Sequence, residues 1–115
     1  MRAGARVSIL WVTDPTFPDL LRERTDDITL DRPAPGSDLI FLGVDSREEL
    51  GRLHGLREFL TPAGGLWVVR PKGVPRITER DVMEAGLATG LVDNKIASFS
   101  DTLSAMRFVV RLRDR

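Results

Sequence analysis

Val7-Ser8-Ile9-Leu10-Trp11-Val12, Leu39-Ile40-Phe41-Leu42-Gly43-Val44 and Leu66-Trp67-Val68-Val69 are nearly unbroken runs of strand-forming apolar residues. Each is too short for a helix and none alternates with polar residues. Such runs read as strands covered on both faces, the condition of a parallel sheet. Parallel neighbours must be joined by crossovers of roughly a dozen residues or more, and helical patterns stand between the runs. Ser46-Arg47-Glu48-Glu49 has the form of a capping box, in which serine and glutamate satisfy each other's backbone amides. Leu50, Leu53, Leu56 and Leu60 follow at helix-compatible spacing, and Pro62 with Gly64-Gly65 reads as the stop. Thr78-Glu79-Arg80-Asp81 opens another helix; Val82, Met83 and Leu87 form its stripe and Gly90 ends it. Earlier, Pro18 suits a first helical position with Thr16 or Phe17 at the cap, and that helix reads to about Arg24. Ile28-Thr29-Leu30 is a short strand and 32–37 a loop.

The last third reads differently. Lys95-Ile96-Ala97-Ser98-Phe99 is a strand with mixed faces. In Met106-Arg107-Phe108-Val109-Val110-Arg111-Leu112 the apolar residues fall on every second position, the mark of a half-exposed strand. The link between these strands is too short for a parallel crossover, so the two are expected to be antiparallel neighbours. The chain is thus an α/β protein with an open, mostly parallel sheet in three layers and an antiparallel C-terminal strand. This layout resembles a shortened Rossmann-like methyltransferase domain. The resemblance implies the strand order 2-1-3-4-6-5, with Met106–Leu112 inserted between its predecessors and a strand–helix unit missing.

The chain has 115 residues, a length that suits a single domain over 1–115. Its 17 Lys plus Arg balance 17 Asp plus Glu, which disfavours nucleic acid as a partner because counterion displacement needs surplus positive charge. It also disfavours a polybasic membrane tether. With 0 cysteines and 1 histidine, thiolate chemistry is excluded and a metal site is not expected. No run approaches a membrane span and no secretory segment is read at the start, so a cytoplasmic location is expected. Lys72 and Lys95 are the lysines, every other cation being arginine; that bias locates no site.

In sheets of this kind ligands bind beyond the carboxyl ends of the strands, where the order reverses. That rim holds Thr13-Asp14, Asp45-Ser46 and Arg70-Pro71-Lys72. A phosphate site needs glycines and free amides in the first turn. Here Val12-Thr13-Asp14-Pro15-Thr16-Phe17-Pro18 has no glycine, two prolines and an acidic residue. Glu48 and Glu49 occupy the next helix start. The methyltransferase resemblance implies a glycine-rich first turn, which is lacking, and an acidic residue ending the second strand, for which Asp31 stands available though such a loop residue is more often only solvated. Gly-x-Ser-x-Gly is absent, His54 reads as a partly exposed helix residue, and no catalytic residue is assigned. Arg70 and Lys72 at a strand exit suit an anionic group, against the simpler reading of a solvated loop. Arg107 and Arg111, with Arg113 in line beyond them, form a basic stripe if one face of the last strand is open; packing of their stems or pairing with carboxylates is the simpler reading.

Gly65-Leu66-Trp67-Val68-Val69-Arg70-Pro71-Lys72, Thr78–Val82, Gly86–Lys95 and Ser104-Ala105-Met106-Arg107-Phe108-Val109 are similar to a family of small bacterial proteins of unknown function. Its motifs are "LWVxxPK", "GLVDNK" and "SxxRFV". The similarity covers about the last fifty residues, departs at Gly73 and Leu103, and draws attention to Lys72, Asp93, Asn94, Lys95 and Arg107. It supplies no activity. The residues favour a non-enzymatic interaction or regulatory module without a cofactor, for which a protein partner or self-association through an exposed sheet edge is expected. The alternative is an enzyme or small-ligand binder, methyltransferase-like, that holds an anionic ligand on the strand-end rim formed by Thr13, Asp14, Asp45, Ser46, Arg70 and Lys72.

Overall fold

The computed structural model describes residues 4–12 and 17–114. β1 (Val7–Leu10) is buried at every position, as its unbroken apolar character demands of a strand at the middle of a parallel sheet. It pairs in parallel with β2 (Ile28–Leu30) and β3 (Ser37–Gly43), and β3 pairs in parallel with β4 (Leu60–Pro71). β6 (Leu103–Val110) lies antiparallel between β4 and β5 (Leu91–Ser98). The order is β2-β1-β3-β4-β6-β5. That is the expected order.

Side chains alternate across the sheet, so each face has its own core. Ile40, Leu42, Leu66, Val68 and Phe108 point to one face, which is covered by α2 (Glu79–Ala88) and the segments after β3. Val7, Ile9 and Phe41 point to the other, against Leu21 of α1 (Phe17–Arg22). α2 is capped as the sequence suggests. The Asp81 amide donates to the Thr78 hydroxyl at 3.2 Å, and the Thr78 amide donates to the Asp81 carboxylate at 2.9 Å. Gly86 lets α2 approach the sheet, because a β-carbon there would lie 2.0 Å from the Phe108 ring.

Several boundaries differ from the sequence reading, each for a local reason. The first strand stops at Leu10, because Trp11 turns into the left-handed region at φ 62. Residues 46–60 form two 3-10 segments, Arg47–Leu53 and Leu56–Phe59, in place of one α-helix. Gly51 and Gly55 disfavour a continuous helix by about 1 kcal/mol each, and Gly55 breaks it at φ 80. The Ser46 side chain makes no cap bond; Glu49 instead accepts from the Asp45 amide at 2.7 Å. Leu60 starts β4, and Pro62 with Gly64-Gly65 lies inside that strand. The register jumps there from Ser37↔Leu60 to Leu39↔Gly65, a bulge in which proline owes no ladder bond.

At the C-terminal end, Asp93, Asn94 and Lys95 belong to edge strand β5, which begins at Leu91 and not at Lys95. Val109 is buried with Met106, Phe108 and Val110, since β6 sits between two neighbours and is not half-exposed. Leu112 lies beyond the strand and is 80% exposed. Pro18 falls in α1, which ends at Arg22 and not Arg24, while the cap reading at Thr16 falls outside the described residues. Among the described residues no helix is long and apolar enough to cross a membrane.

Candidate functional site at the strand ends

Beyond the carboxyl ends of β1, β3 and β4 lies an open cleft of about 250 Å³, lined among others by Trp11, Gly43, Asp45, Glu49, Arg52 and Val69. Its shape follows from a close approach of two strand exits. A β-carbon on Gly43 would fall 2.1 Å from the Trp11 carbonyl oxygen, so only glycine lets β1 cross the end of β3 there. Trp11 in turn holds a backbone conformation that bulky residues avoid, and its side chain is 61% exposed. An exposed indole on a strained backbone costs free energy unless a neighbour or ligand uses the ring.

A chain of charged contacts frames the ring. The Arg52 guanidinium carbon stands 4.2 Å above the Trp11 ring centroid, an attraction between the cation and the negative ring face. The same guanidinium donates to Glu49 at 3.2 Å and to the Gly43 carbonyl at 3.3 Å. Glu49 joins this to Asp45 through the Asp45 amide. Arg76 then clamps the Asp45 carboxylate with two bonds, at 2.8 and 3.2 Å, and the Asp45 carbonyl at 2.9 Å. These hydrogen bonds from Arg76 hold the Asp45 carboxyl below the ordinary carboxylate value, against an opposing effect of burial. The cleft therefore carries two carboxylates compensated by two guanidinia, with no net cationic pull on a phosphate.

The rim residues fall into distinct places. Asp45 lines the cleft and Ser46 follows it. Thr13 and Asp14 lie outside the described residues. Arg70 donates to the Pro71 carbonyl at 3.2 Å. Lys72 donates to the Ser98 hydroxyl and the Ser100 carbonyl, both at 2.7 Å, tying the end of β4 to the β5–β6 turn. Asp31 follows β2 in a left-handed turn at φ 64, its amide donating to the Ile9 carbonyl at 2.8 Å. Asp93, Asn94 and Lys95 lie on exposed β5, and Arg107 on β6, away from the cleft. Trp11, Gly43, Glu49 and Arg52 were not among the sequence candidates. A glycine inside an apolar run was the available signal, since it marks a close backbone approach.

No family model and no curated protein matches the chain; the resemblance to the small bacterial family rests on its quoted motifs alone. Solved structures do match. CalO1, a methyltransferase in calicheamicin biosynthesis in its SAH-bound form, superposes with a TM-score of 0.72 at 14% identity, over 96% of this chain and 50% of its own. A putative methyltransferase from Thermoplasma acidophilum gives 0.69 at 7% identity, over 97% of this chain and 70% of its own. A SAM-dependent methyltransferase from Aquifex aeolicus gives 0.68 at 14% identity, over 96% and 84%. The fold is that of a Rossmann-like methyltransferase domain. The chain spans 43% of the length of LepI, solved in complex with SAM, and half that of CalO1. At such identities the likeness is one of fold.

Proposed function

We propose that the strand-end cleft binds a small ligand of the adenosylmethionine type, so that the chain is a methyltransferase-like binder and not purely an interaction module. The observation that carries this reading is the exposed Trp11 ring, on a residue whose backbone carbonyl abuts Gly43 at the point where the strand order reverses. Open α/β sheets place ligands at that point, and the structural neighbours favour this reading over a module without a ligand.

The residues present fit the chemistry of such a ligand. On this reading an aromatic base stacks on Trp11, the Asp45 carboxylate lining the cleft accepts from a ribose hydroxyl, and a cleft without net positive charge tolerates a sulfonium that a cationic rim would repel. When bound, adenosylmethionine supplies an electrophilic methyl group. Passing it to an acceptor depends on alignment of the two reactants, so the lack of a nucleophile elbow does not weigh against transfer. Phosphate-bearing nucleotides fit poorly, because Asp45 and Glu49 already engage the nearby guanidinia and leave no net positive charge to hold a phosphate. Titration calorimetry with adenosylhomocysteine and with ATP tests the reading. Saturable heat with the first, weak or absent heat with the second, and loss of binding in Trp11→Ala are expected. Equal binding of both, or none of either, contradicts it.

A further inference from the structure

The α1 face of the sheet carries a second hollow that the strand-end reading does not use. One rung of the sheet runs Ile9↔Phe41↔Trp67↔Arg107↔Lys95 in register, and paired residues in a rung point to the same face. α1 covers the Ile9 end of this rung. Toward β5 the face opens into a trough of about 550 Å³, within the range of small-molecule sites. Its floor is aromatic: the Phe41 and Trp67 rings lie nearly parallel, 5° apart, with centroids 6.5 Å apart. Phe17 and Phe99 close one wall, their centroids 4.6 Å apart.

The charge in this trough is unbalanced. Arg107 lines the trough; Lys95, outside that lining, stands directly opposite it on β5, a destabilising like-charge pairing. Among the described residues neither makes an ion pair. Arg107 is also laid down deliberately by the backbone: a β-carbon at Gly65 would fall 2.6 Å from its Nε, so the guanidinium lies flat over β4 at that glycine. Asp38 lines the adjoining hollow, but its carboxylate already accepts from the Arg6 amide at 2.9 Å and the Thr61 hydroxyl at 3.5 Å.

We propose that this trough is a binding site for a planar aromatic carboxylate, its ring on Trp67 at the margin of the buried Phe41 and its carboxylate on Arg107, with Lys95 on the neighbouring strand. The flat floor matches a ring system, and a guanidinium matches a carboxylate in bidentate geometry. Ala97 and Ala105, in register beside the rung, keep the trough clear for a ligand of that thickness. A small acid fits the enclosed volume better than a helix, which needs a contact area nearer that of a protein interface. The inference is independent of the strand-end cleft.

The probe is 1-naphthoate, added to the full ¹⁵N-labelled chain and followed by amide and indole shifts. Saturable shifts at the Trp67 indole and the Ala97 and Ala105 amides are expected. Affinity is expected to fall about tenfold or more for neutral 1-naphthalenemethanol, which lacks the charge-assisted bonds. Arg107→Leu is expected to cause a similar loss for naphthoate while leaving the alcohol's binding unchanged, with a thermal melt to verify folding. The comparison of acid and alcohol on the unaltered protein keeps the test decisive if that variant does not fold. Equal affinity for acid and alcohol, shifts centred on Trp11, no shifts at millimolar naphthoate, or binding of an acidic amphipathic peptide alone would each overturn the proposal.

Discussion

Ser8 and Ser37 are both buried, and their hydroxyls meet at 2.7 Å between β1 and β3. The Ala34 amide donates to Ser8 at 2.9 Å and Ser37 donates to the Ala34 carbonyl at 2.6 Å, so the loop entering β3 is pinned by two polar side chains in an apolar layer. Ser8→Ala leaves the part-buried Ala34 amide without its acceptor, at the lower end of the about 1–3 kcal/mol that an orphaned buried group costs. Chemical denaturation is expected to show a lower midpoint with an unchanged slope; an unchanged midpoint contradicts the role given to this pair. Titratable residues make a second prediction. Asp81, in the α2 capping box, is held below its ordinary value of 3.8, first by its bond from the Thr78 amide. Arg76 does the same for Asp45. A depressed folded-state value means that the stabilisation is present above the unfolded value near 3.8 and is lost as pH falls through the lower folded value. The melting temperature should therefore drop on acidification below that point. Asp81→Asn should lie below the parent at neutral pH and converge with it in strong acid. A gap of constant size at both ends would refute the linkage.

Among the elements, α2 offers the sharpest test of packing against propensity. Alanine is favoured over glycine in a helix by about 1 kcal/mol, so Gly86→Ala would stabilise an isolated α2. Against β6 the added carbon meets the Phe108 ring, and overpacking costs about 1–3 kcal/mol. A lower melting temperature for Gly86→Ala is expected, and a higher one would show that α2 does not depend on this contact. The elements also show what a sequence can reveal. The parallel strands were legible because burial on both faces writes itself into composition, as in Val7–Leu10 and Ile40–Val44. α2 was legible through Thr78 and Asp81, a cap formed within a single turn. The 3-10 segments were not, since Leu50, Leu53 and Leu56 reach the core at spacings that either helix type satisfies. Trp11 was not legible either, because its left-handed turn depends on Gly43 from a different strand. The same reason hid the cleft. Asp45 could be placed from topology alone, whereas Glu49 and Arg52 needed the true path of residues 46–55.

At the scale of the molecule, one sheet carries two hollows of different chemistry. The strand-end cleft is charged, compensated and built on the reversal of strand order; the trough on the α1 face is aromatic and cationic. The first-strand exit lacks the glycines of a phosphate-gripping turn, and the structure supplies an exposed Trp11, its backbone packed on Gly43, in their place. The central claim is that this arrangement is where a ligand sits. Its most direct test is the map of backbone amide and indole shifts when the ¹⁵N-labelled protein is titrated with adenosylhomocysteine. Saturable shifts gathered at the Trp11 indole and the amides of Gly43, Val44 and Asp45, with Ala97 and Ala105 unmoved, are the predicted result. No saturable shift, or shifts gathered away from the ends of β1 and β3, would contradict the account.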